Sequence, residues 1–213
     1  MSGAALTVSN LSARRGSRDI LTNISFTARP NQILGVIGPN GAGKTTLFEC
    51  IAGVLPRTSG TIEGEPRYYV PDGIRPWPDQ TVRWTLECGS FAVALESGGI
   101  AAAVQSLDLT ALLDQPVHSL SKGEAKRLGI ALGLVVPRPV LLLDEPFDGL
   151  DFRQTRRAIE VLRATKRTLV LSIHQLSDAV RVCDRFLLLD NGRTAGEGTL
   201  AELGGNLEER FLA

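Results

Sequence analysis

Gly38-Pro39-Asn40-Gly41-Ala42-Gly43-Lys44-Thr45-Thr46 fills the pattern G-x-x-x-x-G-K-[ST] completely. That pattern is a phosphate-binding loop when it joins a strand to a helix. Its glycines let backbone N–H groups wrap an anion, and the helix start adds the positive end of its dipole. Lys44 brings a mobile charge to β- and γ-phosphates, and Thr45 brings a hydroxyl to Mg²⁺. A second cluster closes the apolar run "VLLLD": Asp144, followed at once by Glu145. Ligands of α/β sheets collect at strand C-termini, so Asp144 is placed to hold Mg²⁺ through a water. Glu145 can take the proton of an attacking water, a role worth about 10²- to 10⁴-fold. His174, after "TLVLSI", is a third candidate, able to reach a γ-phosphate if its strand runs parallel to that of Asp144. An acidic pair alone commonly just ends a strand, and a strand-end His is usually a surface residue. A complete phosphate loop in the same chain shifts both toward the site.

The elements that must carry these residues are readable from pattern. "ALTVSNL", "ILTNISFTA" and "QILGVIG" are β-type segments, the last a buried strand ending at Gly38. Residues 43–53 are expected to form a helix stopped by Gly53. "GTIEG" and "RYYV" are short strands. Helical patterns follow in "TVRWTLECGSFAVAL", "IAAAVQSL" and "GEAKRLGIALGLVV". Strands at 140–144, 168–173 and 185–190 then alternate with helices at 152–166 and 176–183, and Asn191-Gly192 marks a hairpin turn. Alternation of this kind argues an α/β fold with a mainly parallel sheet. The expected domain is a single one over 1–213: an N-terminal antiparallel β-subdomain and phosphate-loop part (1–70), an inserted helical subdomain (71–137) and the remainder of the core (138–213).

Composition narrows the partners. Lys plus Arg total 23 and Asp plus Glu total 23, so bulk charge draws the chain to neither nucleic acid nor anionic lipid. Cys50, Cys88 and Cys183 lie far apart with no CxxC pair, and are expected to be reduced, buried thiols of a cytosolic protein. The start has no signal-peptide layout, and no apolar run approaches the about 20 residues of a membrane span. A soluble chain is expected, with any membrane role supplied by a partner.

One further motif, "LSKGE", spans Leu120, Ser121, Lys122, Gly123 and Glu124. Ser121 and Glu124 have the spacing of a helix capping box. In the order "GPNGAGKTT", "LSKGE", "VLLLDEP", "DGLD", "SIHQLSDA", the motifs closely resemble the nucleotide-binding subunits of ATP-binding cassette transporters, over about residues 4 to 198. No GTPase base-reading motif or kinase lid competes. The resemblance implies a phosphate-loop NTPase core, ATP and Mg²⁺ as cofactors, and a head-to-tail dimer closing on two ATP. In such a dimer "LSKGE" meets the ATP of the partner chain, where a hydroxyl, exposed amides and a side-chain-free Gly123 suit an anionic γ-phosphate. Asp151, in "DGLD", matches the loop that reports across the dimer; it is also a helix N-cap by type. The lysine of "LSKG" is similar to forms seen in small single-cassette exporters.

Departures from the family concern two residues. Arg15 stands where an aromatic residue usually stacks on adenine; a guanidinium plane can also stack. Asp72 stands where a glutamine usually touches Mg²⁺ and the attacking water. It is a further candidate Mg²⁺ ligand, expected to add negative charge beside the phosphates and to slow hydrolysis or make it more Mg²⁺-demanding. Gln80 aligns with the next helix and is not assigned the role. The segment from Lys44 to Asp72 is short for the family, implying a trimmed β-subdomain, and the 15 residues after 198 leave no room for a regulatory domain. The leading expectation is an ATPase subunit bound to transmembrane permease subunits on the cytoplasmic face of the cell membrane, acting as a dimer, with export favoured and no nucleic acid involved. Trp77 and Trp84 are candidates for the permease-binding wall, or for core. A soluble cassette ATPase of DNA repair or the ribosome is the alternative; it usually brings two cassettes, a coiled coil or a basic extension. A nucleotide-binding chain that barely hydrolyses is a third class.

Overall fold

Strand β1 (Leu6–Arg15) buries Leu6, Val8, Leu11 and Ala13, and the step in their spacing falls at Asn10. Asn10 adopts φ 50°, and the β1 register shifts between Val8 and Leu11, so a bulge returns the apolar set to one face. The strand runs well past the apolar "ALTVSNL", because its polar end pairs in a hairpin with β2 (Arg18–Ala28). Strand β4 (Ser59–Gly64) pairs with the other edge of β1, giving an antiparallel sheet in the order β2-β1-β4. This computed structural model describes residues 3–91, 98–205 and 207. The chain divides into two compact units: 1–69 with 139–144 and 166–213, and 70–138 with 145–165.

The first unit also holds a six-stranded sheet. Its order is β5 (Arg67–Val70), β6 (Val140–Asp144), β7 (Thr168–Ile173), β3 (Ile33–Ile37), β8 (Arg185–Asp190), β9 (Arg193–Gly198). Strands β6, β7, β3 and β8 run parallel, and β9 returns antiparallel through Asn191 and Gly192, both at positive φ. Every residue of β3, β6 and β7 is buried, as expected of sheet covered on both faces. Helices α1 (Lys44–Ala52) and α6 (Leu176–Val182) belong to this unit. Helix α1 stops at Gly53, whose φ of 77° lets its N–H return to the Cys50 and Glu49 carbonyls. One hydrophobic cluster joins β1 and β2 to α1 and the parallel strands through Leu11, Ile24, Leu47, Phe48, Leu142 and Val170.

The second unit is helical: α2 (Val82–Phe91), α3 (Gly98–Ser106), α4 (Lys122–Val135) and α5 (Phe152–Ala164). The expected helix over "TVRWTLECGSFAVAL" runs beyond α2 into residues 92–97, which lie outside the described residues. Helix α4 is the axis of the unit, buried almost all round from Ala125 to Val135. Its Arg127 is buried too: one terminal nitrogen donates to the carbonyls of Leu107 and Asp108 at 2.8 and 2.7 Å, while its Nε meets no acceptor. The three cysteines are free, but only Cys50 and Cys183 are buried; Cys88 is half-buried. Burial, then the neighbouring Glu49 carboxylate, pushes the Cys50 thiol up to about 11. No described helix is long and apolar enough to cross a membrane.

Candidate functional site

The phosphate loop begins where β3 ends, between two neighbours that leave the chain on either side, β7 and β8. That is a switch point of the sheet, the place where α/β folds receive ligands. Gly41 and Gly43 turn the loop through φ 83° and 103°, conformations that favour glycine. At Gly41 a β-carbon would meet nothing, so this side of the loop is open; at Gly43 it would press on Leu21 at 2.7 Å. Pro39, Asn40 and Gly41 are exposed, while Gly38 and Ala42 are buried. The Gly192 N–H holds the Ala42 carbonyl at 3.1 Å, pinning the loop from the β8–β9 turn.

Lys44 is buried and folds over the loop, its ammonium donating to the Gly38 carbonyl at 2.7 Å and to that of Pro39 at 3.2 Å. Thr45 is exposed at the first turn of α1, and Thr46 is buried. Open glycine backbone, a buried ammonium and a helix N-terminus make a donor set that fits a polyphosphate. Arg15 comes to the flank of α1: its guanidinium pairs with Glu49 and donates to the Thr46 hydroxyl at 3.3 Å.

Register aligns the other candidates of this unit. Ile37 pairs with Ile173, and Asp144 pairs with Ser172, so Gly38, Asp144 and His174 stand at the C-terminal ends of three adjacent parallel strands. Asp144 is 3% exposed. Its carboxylate accepts the Ser172 hydroxyl and, at 3.4 Å, the Tyr69 hydroxyl. Those two donors hold a buried carboxylate that would otherwise be costly. Neither was singled out by motif: Ser172 and Tyr69 look like ordinary strand residues until the strands are paired. His174 lies exposed beyond the end of β7.

In the second unit Ser121 is the N-cap of α4, and both bonds of the capping box form. The Glu124 N–H donates to the Ser121 hydroxyl at 3.3 Å, and the Ser121 N–H to the Glu124 carboxylate at 2.8 Å. The Ser121 side chain and then its backbone hold the Glu124 carboxyl below its usual range. Leu120 is buried beneath the cap. Lys122 is drawn to Asp148 at 2.8 Å, which raises its ammonium above the ordinary value. A β-carbon on Gly123 would come within 2.9 Å of the Gly149 carbonyl, so this glycine is needed by the chain's own packing. Asp151 caps α5 and exchanges a second capping box with Gln154.

Asp72 is not a free carboxylate. It meets the buried ammonium of Lys126 at 2.5 Å, and that ammonium also donates to the Glu145 carbonyl at 2.6 Å. Asp72, expected to add negative charge beside the phosphates, is paired with a lysine on α4. Glu145 itself has φ 48°, a left-handed conformation that costs a non-glycine residue about 1–3 kcal/mol and concentrates at functional sites. Lys126 was missed by motif, because it lies outside "LSKGE".

The sequence profile of the family described as ABC transporter matches residues 21–148, more than half of the chain. The chain belongs to the ABC transporter family. Among its relatives, the Nod factor export ATP-binding protein I of Ralstonia nicotianae is 34% identical over 93% of this chain and 68% of that protein. The energy-coupling factor transporter ATP-binding protein EcfA1 of Methanospirillum hungatei is 34% identical over 89% of this chain and 76% of its own length. Human ATP-binding cassette sub-family A member 6 is 32% identical over 94% of this chain, which spans only 13% of that protein. A solved ATP-binding subunit of an ABC transporter shares 26% identity and a TM-score of 0.90 over 98% of both chains. The fold is accordingly the ABC ATPase fold, with its antiparallel subdomain, mainly parallel sheet and helical part. As an ABC cassette the chain is an ATP-binding subunit and an ATPase.

Proposed function

We propose that this cassette hydrolyses MgATP at a dimer interface and drives transport through separate membrane permease subunits. The observation that supports it most is the shared C-terminal end of the parallel strands, bearing the phosphate loop, buried Asp144 and His174. Thr45 and Asp144 are the oxygen ligands that would hold Mg²⁺, whose charge offsets that of the phosphates. Asp72, engaged by Lys126, is the weaker candidate. Lys44 neutralises phosphate charge by moving from the loop carbonyls it now touches. Glu145 takes a proton from the attacking water, and His174 orients toward the γ-phosphate.

Ser121, Gly123 and Lys122 serve the ATP of a second, identical subunit, and Asp151 senses the state across that dimer. Residues 1–213 act as one cassette domain, with the helical part inserted in the core. Trp77 and Trp84 support the permease assignment: they stack edge to face at 5.5 Å and remain 47% and 40% exposed, so they are not core. The cassette sits on the cytoplasmic face of the membrane through the permease, with export as the direction and no nucleic acid partner.

The test is the mass in solution of Glu145→Gln with and without MgATP. The expected result is a doubling of mass only with MgATP, because removing the base traps the closed pair. A variant that binds ATP yet stays monomeric at every concentration overturns the self-contained dimer.

A further inference from the structure

Three segments of the second unit converge on one buried ammonium. Lys126 projects from α4 with its side chain 7% exposed; Asp72, in the loop after β5, is 47% exposed and supplies the opposite charge. A lone buried ammonium is strongly disfavoured, so the carboxylate is what allows a lysine at this depth. Its second partner is a main-chain oxygen, that of Glu145.

That oxygen belongs to a tight turn. The Asp148 N–H donates to it at 3.2 Å, and the Leu150 N–H continues the turn to the Phe147 carbonyl at 3.1 Å. Glu145 opens the turn in its left-handed conformation. Such a residue persists only where surrounding contacts over-determine it. The short, charge-assisted bond from Lys126 is stronger than the one from the Asp148 N–H.

We propose that Lys126 is a positioning residue for hydrolysis: it clamps the Glu145 peptide in its left-handed conformation, and Asp72 is the counter-charge that keeps the clamp buried. The proposal rests on Glu145 acting as the general base. It changes the role of Asp72 from direct metal ligand to support for the residue that activates water.

Lys126→Met keeps an unbranched chain and removes the donor. Amide exchange of the nucleotide-free protein is expected to accelerate about 10-fold or more across 145–151, with the helical core of α4 unchanged. The rate constant kcat should fall about 10- to 100-fold, as misplacement of a reacting group does, while KM for ATP stays within about threefold. Asp72→Asn with Lys126→Gln restores an amide donor without buried charge, and should recover most of both losses. If Lys126→Met does not fold, this double variant against Asp72→Asn alone carries the comparison. Unchanged exchange at 145–151 overturns the clamp, as does a fall in kcat that only parallels lost stability. If Glu145→Gln hydrolyses ATP at the wild-type rate while Lys126→Met still loosens 145–151, the clamp stands and the base assignment falls.

Discussion

Asp144 and Ser172 face each other in register across the β6–β7 ladder, and the serine hydroxyl donates to the buried carboxylate. Both residues are almost fully shielded from water. The carboxylate at the C-terminal end of β6 is thereby held at a fixed height in the sheet.

Ser172→Ala leaves Asp144 with the long bond from Tyr69. Hydrogen bonds to charged groups contribute about 1.5–3 kcal/mol, and that loss is expected in the urea unfolding free energy. The Mg²⁺ concentration needed for half-maximal ATPase should rise as well. A stability unchanged within error means the hydroxyl is not holding the carboxylate.

Gly43→Ala places a β-carbon against Leu21 at a residue with φ 103°. The expected cost is about 1–3 kcal/mol, because the loop cannot shift without releasing its contacts to the β8–β9 turn. Binding of a fluorescent ATP analogue should be lost even at temperatures where the variant remains folded by circular dichroism.

The cap of α4 titrates. The Glu124 carboxyl sits below its ordinary value of 4.5 in the folded chain. A depressed folded value means its contribution is complete above the ordinary value and disappears as pH falls through the lower, folded one. Glu124→Gln still completes a capping box, so at neutral pH its stability should match wild type within about 0.5 kcal/mol. On acidification the wild type should lose more stability than the variant. Parallel curves of unfolding temperature against pH would show that the carboxylate contributes nothing there.

Asp151 caps α5, and the sensing role proposed for it can be separated from that cap. Asp151→Ala removes the N-cap of α5 and is expected to cost about 0.5–2 kcal/mol, whereas Asp151→Asn keeps the cap. Equal stability of Asn and wild type, with ATPase reduced in Asn, is the outcome expected of a residue that also senses a partner subunit. Equal ATPase leaves Asp151 as a cap only.

Arg15, itself about half exposed, pairs with the partly covered Glu49. Arg15→Ala should therefore change stability by no more than about 1 kcal/mol. If the guanidinium also stacks on the base, ATP affinity should weaken about 2- to 5-fold by titration calorimetry. An unchanged affinity removes Arg15 from the nucleotide site.

What the amino-acid order determined by itself is what short-range physics decides. A phosphate loop is a run of glycines ahead of a lysine, a capping box is a serine three residues before a glutamate, and Gly53 stops a helix one residue past its end. Each interaction is made within a turn, so spacing alone reveals it. Buried strands such as β6 and β7 are equally visible, because burial on both faces leaves uninterrupted apolar runs. The length of β1 was hidden, since its polar half is held by pairing with β2 and by a bulge at Asn10. The partners of the site's charges were hidden as well. Tyr69 and Ser172 reach Asp144 only because the sheet order sets their strands on either side of β6, and Lys126 reaches Asp72 only because α4 packs beneath the loop after β5. Which carboxylate is shielded and which is balanced depends on contacts between distant segments, and those exist only once the core has packed.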